Sequence, residues 1–356
     1  RMAEESLAAL GSGRLHPVET RLATVWPPQE WLSRGVILAL SGGPDSVALF
    51  RAMLALRQDQ STDNGGLIVA HFNHRLRGPA SDEDAQWVEN LCQRWAVPCQ
   101  IGSPRSADEL MTQKGSPSEA LARKARYQFL RQVAEQYGFR YVATAHTADD
   151  QVETILHRIF RGTGIAGLAG MSRARLLSPA VTLIRPFLSF SRQELRQYLA
   201  DLGQDYRHDA SNEDVRFTRN RIRRQLLPLL RDQFNPHVEE AVLRLGRLAG
   251  EVAEWIHTEA ARQLKETAFH EGQTWVFRAD RLAKLPNFLI REIFRSLWRQ
   301  QGWPQQQMGQ AEWELLVEAV RQAIHLPHQR LVRRTLPGAI FVEAVAGQVR
   351  VYPLKG

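Results

Sequence analysis

Continuous apolar runs and helix-spaced apolar stripes alternate along the first two-thirds of the chain. Residues 36–40 (Val-Ile-Leu-Ala-Leu) are apolar throughout, the pattern of a strand buried on both faces. A Gly/Ser turn follows, then a helix-like apolar segment over 47–56. Leu67–Phe72 reads as a second strand, with a helix after it over about 82–95. A third strand is expected at 97–101. Leu121, Ala125, Phe129 and Val133 then mark a helix over 118–137. A fourth strand at 141–145 leads into a helix over about 148–160. This alternation predicts an α/β fold with a doubly wound, mostly parallel sheet.

The pattern then changes. Glycines at 162, 164, 167 and 170 suggest a structured loop over 161–187. Ser191 with Glu194 three residues on is a capping box that opens a helix to about Leu202. Residues 203–218 are polar and aperiodic. Beyond Arg219 the stripes are helical: Val238, Val242, Leu245, Val252 and Trp255 form one, and Phe294, Leu297 and Trp298 belong to another. Two short strands close the chain at 339–345 and 348–352. The expected organisation is an extension over 1–34, peripheral to the fold, an α/β domain over 35–218, a helical second domain over 219–325, and a short β-containing segment over 326–356.

With 356 residues there is ample material for a core, and 44% hydrophobic with 24% charged residues excludes wholesale disorder. Net charge is +8; only five of the 46 cations are Lys, which leaves 41 Arg. Arg binds phosphate bidentately and stacks on bases, so a polyanionic partner is favoured, although a GC-rich genome gives the same ratio. Cys92 and Cys99 fit neither a zinc knuckle nor a redox C-x-x-C, and read as small apolar side chains in a reduced, intracellular protein. No apolar run approaches a membrane span, so no membrane partner is expected.

The chemistry concentrates in Ser41-Gly42-Gly43-Pro44-Asp45-Ser46, between the first strand and its helix. Two glycines let the backbone approach an anion, and the amides and dipole at the start of the helix then face it. The Walker loop is absent, for no G-x-x-x-x-G-K-[ST] occurs here. The loop resembles the S-G-G-x-D-S pyrophosphate loop of the N-type ATP pyrophosphatase (PP-loop) superfamily. Further segments run in one order: His71-Phe-Asn73-His74-Arg75-Leu76-Arg77; Glu119 to Tyr127 with Arg123 and Arg126; His146-Thr-Ala-Asp149-Asp150-Gln-Val-Glu153; Arg161 to Met171; Arg185-Pro186; Asp209-Ala-Ser211-Asn212; and Arg219-Asn220-Arg221-Ile222-Arg223. Over roughly 34–224 they resemble the tRNA(Ile)-lysidine synthetases. Ala210 stands where that family usually has Pro.

The resemblance implies an adenine nucleotide alpha hydrolase-like fold and a two-step ligase reaction. The C2 oxygen of cytidine 34, in the CAU anticodon of tRNA(Ile), takes AMP from ATP with release of diphosphate. Free L-lysine then attacks C2 and displaces AMP. Lysine's amine requires about 4.6 kcal/mol for deprotonation at pH 7, so carboxylates are needed around it. Asp150 and Glu153 share one helix face at i, i+3, with His146 one turn upstream. Acids in a first helical turn otherwise serve the helix dipole; beside a phosphate loop a functional role is favoured, and the resemblance implies that Asp150, Glu153 and His146 are the lysine-binding and catalytic group. Arg126 is the expected cation for the α-phosphate or the cytidine. Ala39, Ser41 through Ser46 and His71 are the expected ATP contacts. Asn73, Arg75, Arg77, Arg219, Asn220 and Arg223 are the expected tRNA contacts. Mg²⁺ is expected with ATP, held through water by Asp45 or Asp149, and the sequence does not choose between them. The protein is expected in the cytoplasm, with a homodimer left open. A tRNA thiolase, a small-molecule synthetase of the same superfamily and a non-catalytic RNA-binding protein are the alternatives; a thiolase would need catalytic cysteines, and Cys92 and Cys99 do not lie beside the loop.

Overall fold

The computed structural model describes residues 15–58, 66–75, 78–104, 106–111, 118–207, 218–327 and 330–354. Arg77 and the 209–212 segment lie outside them. The chain divides into two compact units, 1–246 and 247–356.

The first unit carries a six-stranded sheet of order β3-β2-β1-β4-β6-β5. Its strands are β1 (Val36–Ala39), β2 (Leu67–Phe72), β3 (Cys99–Gly102), β4 (Tyr141–Ala143), β5 (Ala174–Leu176) and β6 (Thr182–Ile184). All pairs are parallel except β5–β6, so one antiparallel edge closes a doubly wound sheet. The helices are α1 (Pro17–Val25), α2 (Pro44–Gln58), α3 (Pro79–Arg94), α4 (Glu119–Gln136), α5 (Ala148–Phe160) and α6 (Arg192–Asp201). The continuous apolar run of β1 is explained by its two faces: Val36 and Leu38 enter one core with Phe50, Phe187 and Tyr198, whereas Ile37 enters the other with Tyr127, Leu130 and Leu183.

Two features of this unit depart from the sequence reading. The N-terminal stretch is not peripheral: Leu22, Trp26 and Trp31 are each 1% exposed and belong to the first core. Burial of side chains of that size contributes roughly 2–3 kcal/mol apiece, so the described part of the stretch is integral to the unit. The glycine-rich loop also contains β5 and β6. Each has three residues, too few for a period to register, and β5 is exposed along its length.

After Thr218–Arg221 the chain widens into a π-turn, Ile222–Leu226, before Leu227–Gln233. Helix α7 (Val238–Thr267) begins in this unit, where Val238 and Val242 pack against Val152, Leu156, Ile222 and Leu227. The second unit holds a five-stranded antiparallel sheet of order β7-β8-β11-β10-β9: β7 (Ala268–Glu271), β8 (Thr274–Arg278), β9 (Val332–Leu336), β10 (Ile340–Val345) and β11 (Gln348–Pro353). With α8 (Asn287–Gln301) and α9 (Gln310–His325) it encloses a core around Phe277, Phe294, Trp298, Leu316 and Val349. The β7–β8 hairpin lies inside the stretch read as wholly helical.

Candidate active site at the carboxyl ends of β1 and β4

The strand order places the crossover point between β1 and β4, because the chain winds outward to β3 from one side and to β6 from the other. Ligands of such sheets bind at the carboxyl ends of the strands on either side of that point. The 41–46 loop leaves β1 there. Gly42 has φ +87, and Arg207 Cγ would lie 3.4 Å from any Cβ built on it. Ser46 Oγ donates to the Gly43 carbonyl (2.9 Å), accepts from the Ser41 amide (3.2 Å) and meets Ser41 Oγ at 3.0 Å. The Arg207 amide donates to the Gly42 carbonyl at 2.8 Å, and its side chain is held by Asp84. The loop is therefore shaped by its own hydrogen bonds. Pro44, which has no N–H, begins α2, and the remaining first-turn amides have no partner within the helix. His71 supports this floor from β2, its Nδ1 2.8 Å from the Leu40 carbonyl. Burial pushes its pKa down and keeps the ring neutral. Ala39 is the half-buried last residue of β1.

Helix α5 leaves β4 beside the loop. Thr147 is its N-cap, and Asp150 closes the capping box by accepting from Thr147 N (2.9 Å) and Oγ1 (3.1 Å) at Oδ2. Asp150 Oδ1 pairs with Arg192 and lies 3.8 Å from Arg223. Glu153, 2% exposed, accepts from Arg192 Nη1 (2.7 Å) and Arg223 Nε (2.7 Å) at Oε1, and from Arg223 Nη2 (3.1 Å) at Oε2. Arg223 comes from the π-turn, whose extra residue per turn is a common device at functional sites. Arg192 is the first residue of α6. Its amide donates to Asp149 Oδ2 at 2.9 Å, and its Nε lies 3.6 Å from Asp45 Oδ2. Asp45 Oδ1 is buried with no hydrogen-bond partner among the described residues. An open cleft of about 680 Å³ borders these groups, lined by Asp149, Arg192, Arg196 and Arg223 among others.

A cationic cluster flanks the acids. The guanidinium carbons of Arg123, Arg126 and Arg175 lie 5.1, 5.3 and 5.4 Å from the centre of the Tyr127 ring. Arg123 Nη2 is 3.3 Å from the Tyr127 hydroxyl. Burial raises the Tyr127 pKa, but Arg126, Arg123 and Arg185 outweigh it and bring it below its ordinary value. Arg185 is 4% exposed, and the Nε atoms of Arg126 and Arg185 are buried without partners among the described residues. Buried donors in this arrangement suit a phosphate.

A PP-loop domain model matches residues 15–230. A tRNA(Ile)-lysidine synthase of Rhodopirellula baltica is 33% identical over 334 residues, 85% of this chain and 83% of that protein. The chain belongs to the tRNA(Ile)-lysidine synthase family. The family member of a Nostoc species is 35% identical over 66% of this chain, and that of Geobacter sulfurreducens 37% over 73%. The chain matches 65% and 54% of those two proteins' lengths. Among solved structures, the U34-tRNA thiolase NcsA of Methanococcus maripaludis shares the fold of the PP-loop unit, with a TM-score of 0.54 at 16% identity over 65% of this chain and 78% of that one.

Against the expectations for a family member, the loop residues, Asp150 and Glu153 come together as read. Four other expected site residues, Asn73, Arg219, Arg223 and His146, have partners within the chain. Asn73, 6% exposed, is committed to shaping its own loop: Nδ2 donates to Asp82 (2.8 Å) and Oδ1 accepts from the Arg75 amide (2.9 Å). Arg75 beyond it is exposed. Arg223 faces Glu153, and Arg219 lies 3.3 Å from Thr154 Oγ1, so both side chains meet α5. His146, with Nδ1 2.9 Å from Thr144 Oγ1, has its pKa pushed down to about 3 by burial and by Arg126, Arg185 and Arg123, against the pull of Asp150. It is therefore neutral at physiological pH, with the charge of Asp150 nearby. Asn220 lies in the short helix Thr218–Arg221. Arg192 was missed altogether: the capping box marks where α6 starts, but nothing local shows what the next residue faces.

Burial, with Asp150 and Asp149 adding to it against Arg192, raises the Asp45 pKa to about 6. A carboxyl raised above its ordinary 3.8 is penalised in its ionised form, so it lowers stability increasingly from about pH 4 to 6 and by a constant amount above. The penalty is about 3 kcal/mol at full ionisation. Asp45→Asn is therefore expected to stabilise the protein at pH 8, by at most that amount, with no gain near pH 4; denaturant unfolding at the two pH values measures it.

Proposed function

We propose that this chain is an ATP-dependent ligase that adenylates the C2 oxygen of cytidine 34 in the CAU anticodon of tRNA(Ile) and joins L-lysine to C2, releasing diphosphate and AMP. The observation that carries the reading is the meeting of an anion cradle with a cation seat: Asp45 of the 41–46 loop converges with Asp150 and Glu153 on one guanidinium. A reaction with a diphosphate leaving group and an alkylammonium nucleophile needs both.

The loop amides and the Ser41 and Ser46 hydroxyls hold the departing diphosphate, which leaves the α-phosphorus open toward β4. The cytidine oxygen forms the new P–O bond as the bond to diphosphate breaks. The arginines around Tyr127 provide donors for the phosphates of the RNA strand and for the charge that develops on the transferred phosphate. Asp150 and Glu153 bind the lysine ammonium; after it gives a proton to one of these carboxylates, the amine forms the C2–N bond and AMP leaves with the C2–O bond electrons. Mg²⁺ fits at Asp45, whose buried Oδ1 has no hydrogen-bond partner among the described residues, and there it would neutralise charge on the diphosphate. Asp149 is engaged by the Arg192 amide. Among the described residues no group of three His, Cys, Asp or Glu side chains is placed to hold a metal.

The thiolase alternative finds no support in the cysteines. Cys99 opens β3 at its amino end, opposite the site, and Cys92 is buried, its thiol pushed up first by its hydrogen bond to Cys99 and then by burial. Among the described residues no helix is long and apolar enough to cross a membrane; the tRNA and ATP substrates favour the cytoplasm. The test is incubation with labelled lysine, ATP, Mg²⁺ and an unmodified tRNA(Ile) transcript. Lysine is expected to enter the RNA with one AMP formed per lysine. Failure to form AMP under those conditions would overturn the reading.

A further inference from the structure

The space between Asp45, Asp150 and Glu153 is filled by the side chain of Arg192. Its Nη1 lies 2.7 Å from Glu153 Oε1, its Nη2 pairs with Asp150 Oδ1, and its Nε is 3.6 Å from Asp45 Oδ2. The side chain is 14% exposed. The carboxylate oxygens have little acceptor capacity left. Asp150 Oδ2 closes the α5 capping box, and Glu153 also accepts from Arg223 at both oxygens. A substrate ammonium cannot reach Asp150 and Glu153 together while this guanidinium sits between them.

We propose that Arg192 is a resident cation that keeps the ammonium seat of the lysine site in the free protein and vacates it when ATP binds, so that ATP opens the site to lysine. This rests on the lysine reading above. The route is short. Asp45, one of the guanidinium's three partners, is itself a residue of the phosphate loop, so phosphates seated on that loop lie beside Nε. A phosphate offers the guanidinium a bidentate anionic partner, and Arg is the side chain best shaped to take it. The main chain need not move: the Arg192 amide is fixed to Asp149 Oδ2 at 2.9 Å and Ser191 caps α6. Exchange is then a change of side-chain rotamer. One cation leaves Asp150 and Glu153 and another, the lysine ammonium, replaces it, so the buried acids stay paired throughout. Emptying the seat without replacement would leave buried carboxylates short of a partner, which is strongly unfavourable. Arg192 thus positions the other groups; it does not touch the reacting atoms.

Binding that frees a shared seat is coupled, and the coupling is reciprocal. Calorimetry of L-lysine binding to the full chain, with and without a non-hydrolysable ATP analogue and Mg²⁺, reads it directly. The wild-type protein is expected to bind lysine about tenfold or more tightly with the analogue present. Arg192→Gln is expected to bind lysine more tightly without nucleotide, and its ratio should fall to within about threefold. Arg192→Lys, which keeps a cation on the same stalk, should retain coupling. Equal wild-type affinities in the two states would overturn the proposal, as would an undiminished ratio in Arg192→Gln. Uncoupled lysine binding would remove the role of Arg192 and leave the lysine-ligase reading standing. No lysine binding in either state would overturn both.

Discussion

Asp150→Asn is expected to cut lysine transfer to RNA by about 10²–10⁴-fold while ATP affinity stays within a few-fold of wild type. The substitution is nearly isosteric, and its oxygen can still accept from Thr147 N and Oγ1, so α5 keeps its cap. What disappears is one of the charges that stabilise a cation between α2, α5 and α6. Asp150 is held as an anion in the native protein: burial opposes ionisation, but Arg192, the Thr147 amide and Arg223 bring its pKa below the ordinary value. It is therefore charged throughout the physiological range, and its loss is felt at every working pH. Labelled-lysine incorporation and calorimetric titration with ATP separate the two effects. Turnover near wild type in this variant would remove Asp150 from the lysine site.

Gly42→Val is expected to act on the other half of the reaction, lowering nucleotide affinity by at least about 100-fold. A β-branched residue at φ +87 is a conformational outlier that costs about 1–3 kcal/mol before any contact is considered. The new side chain would also press on Arg207 Cγ and Cβ, at 3.4 and 3.5 Å from the Cβ position alone, and on Trp87 at 3.7 Å. Arg207 cannot simply withdraw, since its amide holds the Gly42 carbonyl and its side chain is paired with Asp84. The loop must change shape, and amides aimed at a diphosphate lose their convergence. Equilibrium binding of ATP, with unfolding by denaturant as the control for stability, checks this. Unchanged affinity would show that the diphosphate is held elsewhere.

Several parts of this protein were legible residue by residue. β2 and α5 begin and end where the apolar pattern starts and stops, because a doubly buried strand and an amphipathic helix are dictated by local periodicity. The phosphate loop was legible for the same reason: it is a contiguous turn whose glycines and serines act within six residues of one another. Asp150 and Glu153 share a face because helix geometry alone brings i and i+3 together.

The rest depended on contacts between segments far apart in sequence. β5 and β6 are three-residue strands recognisable only by the pairs they make. Trp26 and Trp31 are core residues because a sheet built later in the chain covers them. Asn73 and Arg223 carry donors that would suit RNA, yet Asp82 and Glu153 claim them. Arg192 reaches Asp150 and Glu153 across 42 and 39 residues, and Asp45 across 147. By itself, then, the sequence determined the elements with a clear local period, the glycine–serine loop after β1 and the pair of acids on α5, since each of these is local. Only the tertiary structure decided which cation those acids hold. That choice follows from strand order, which sets the starts of α2, α5 and α6 side by side, and no periodicity along the chain encodes it.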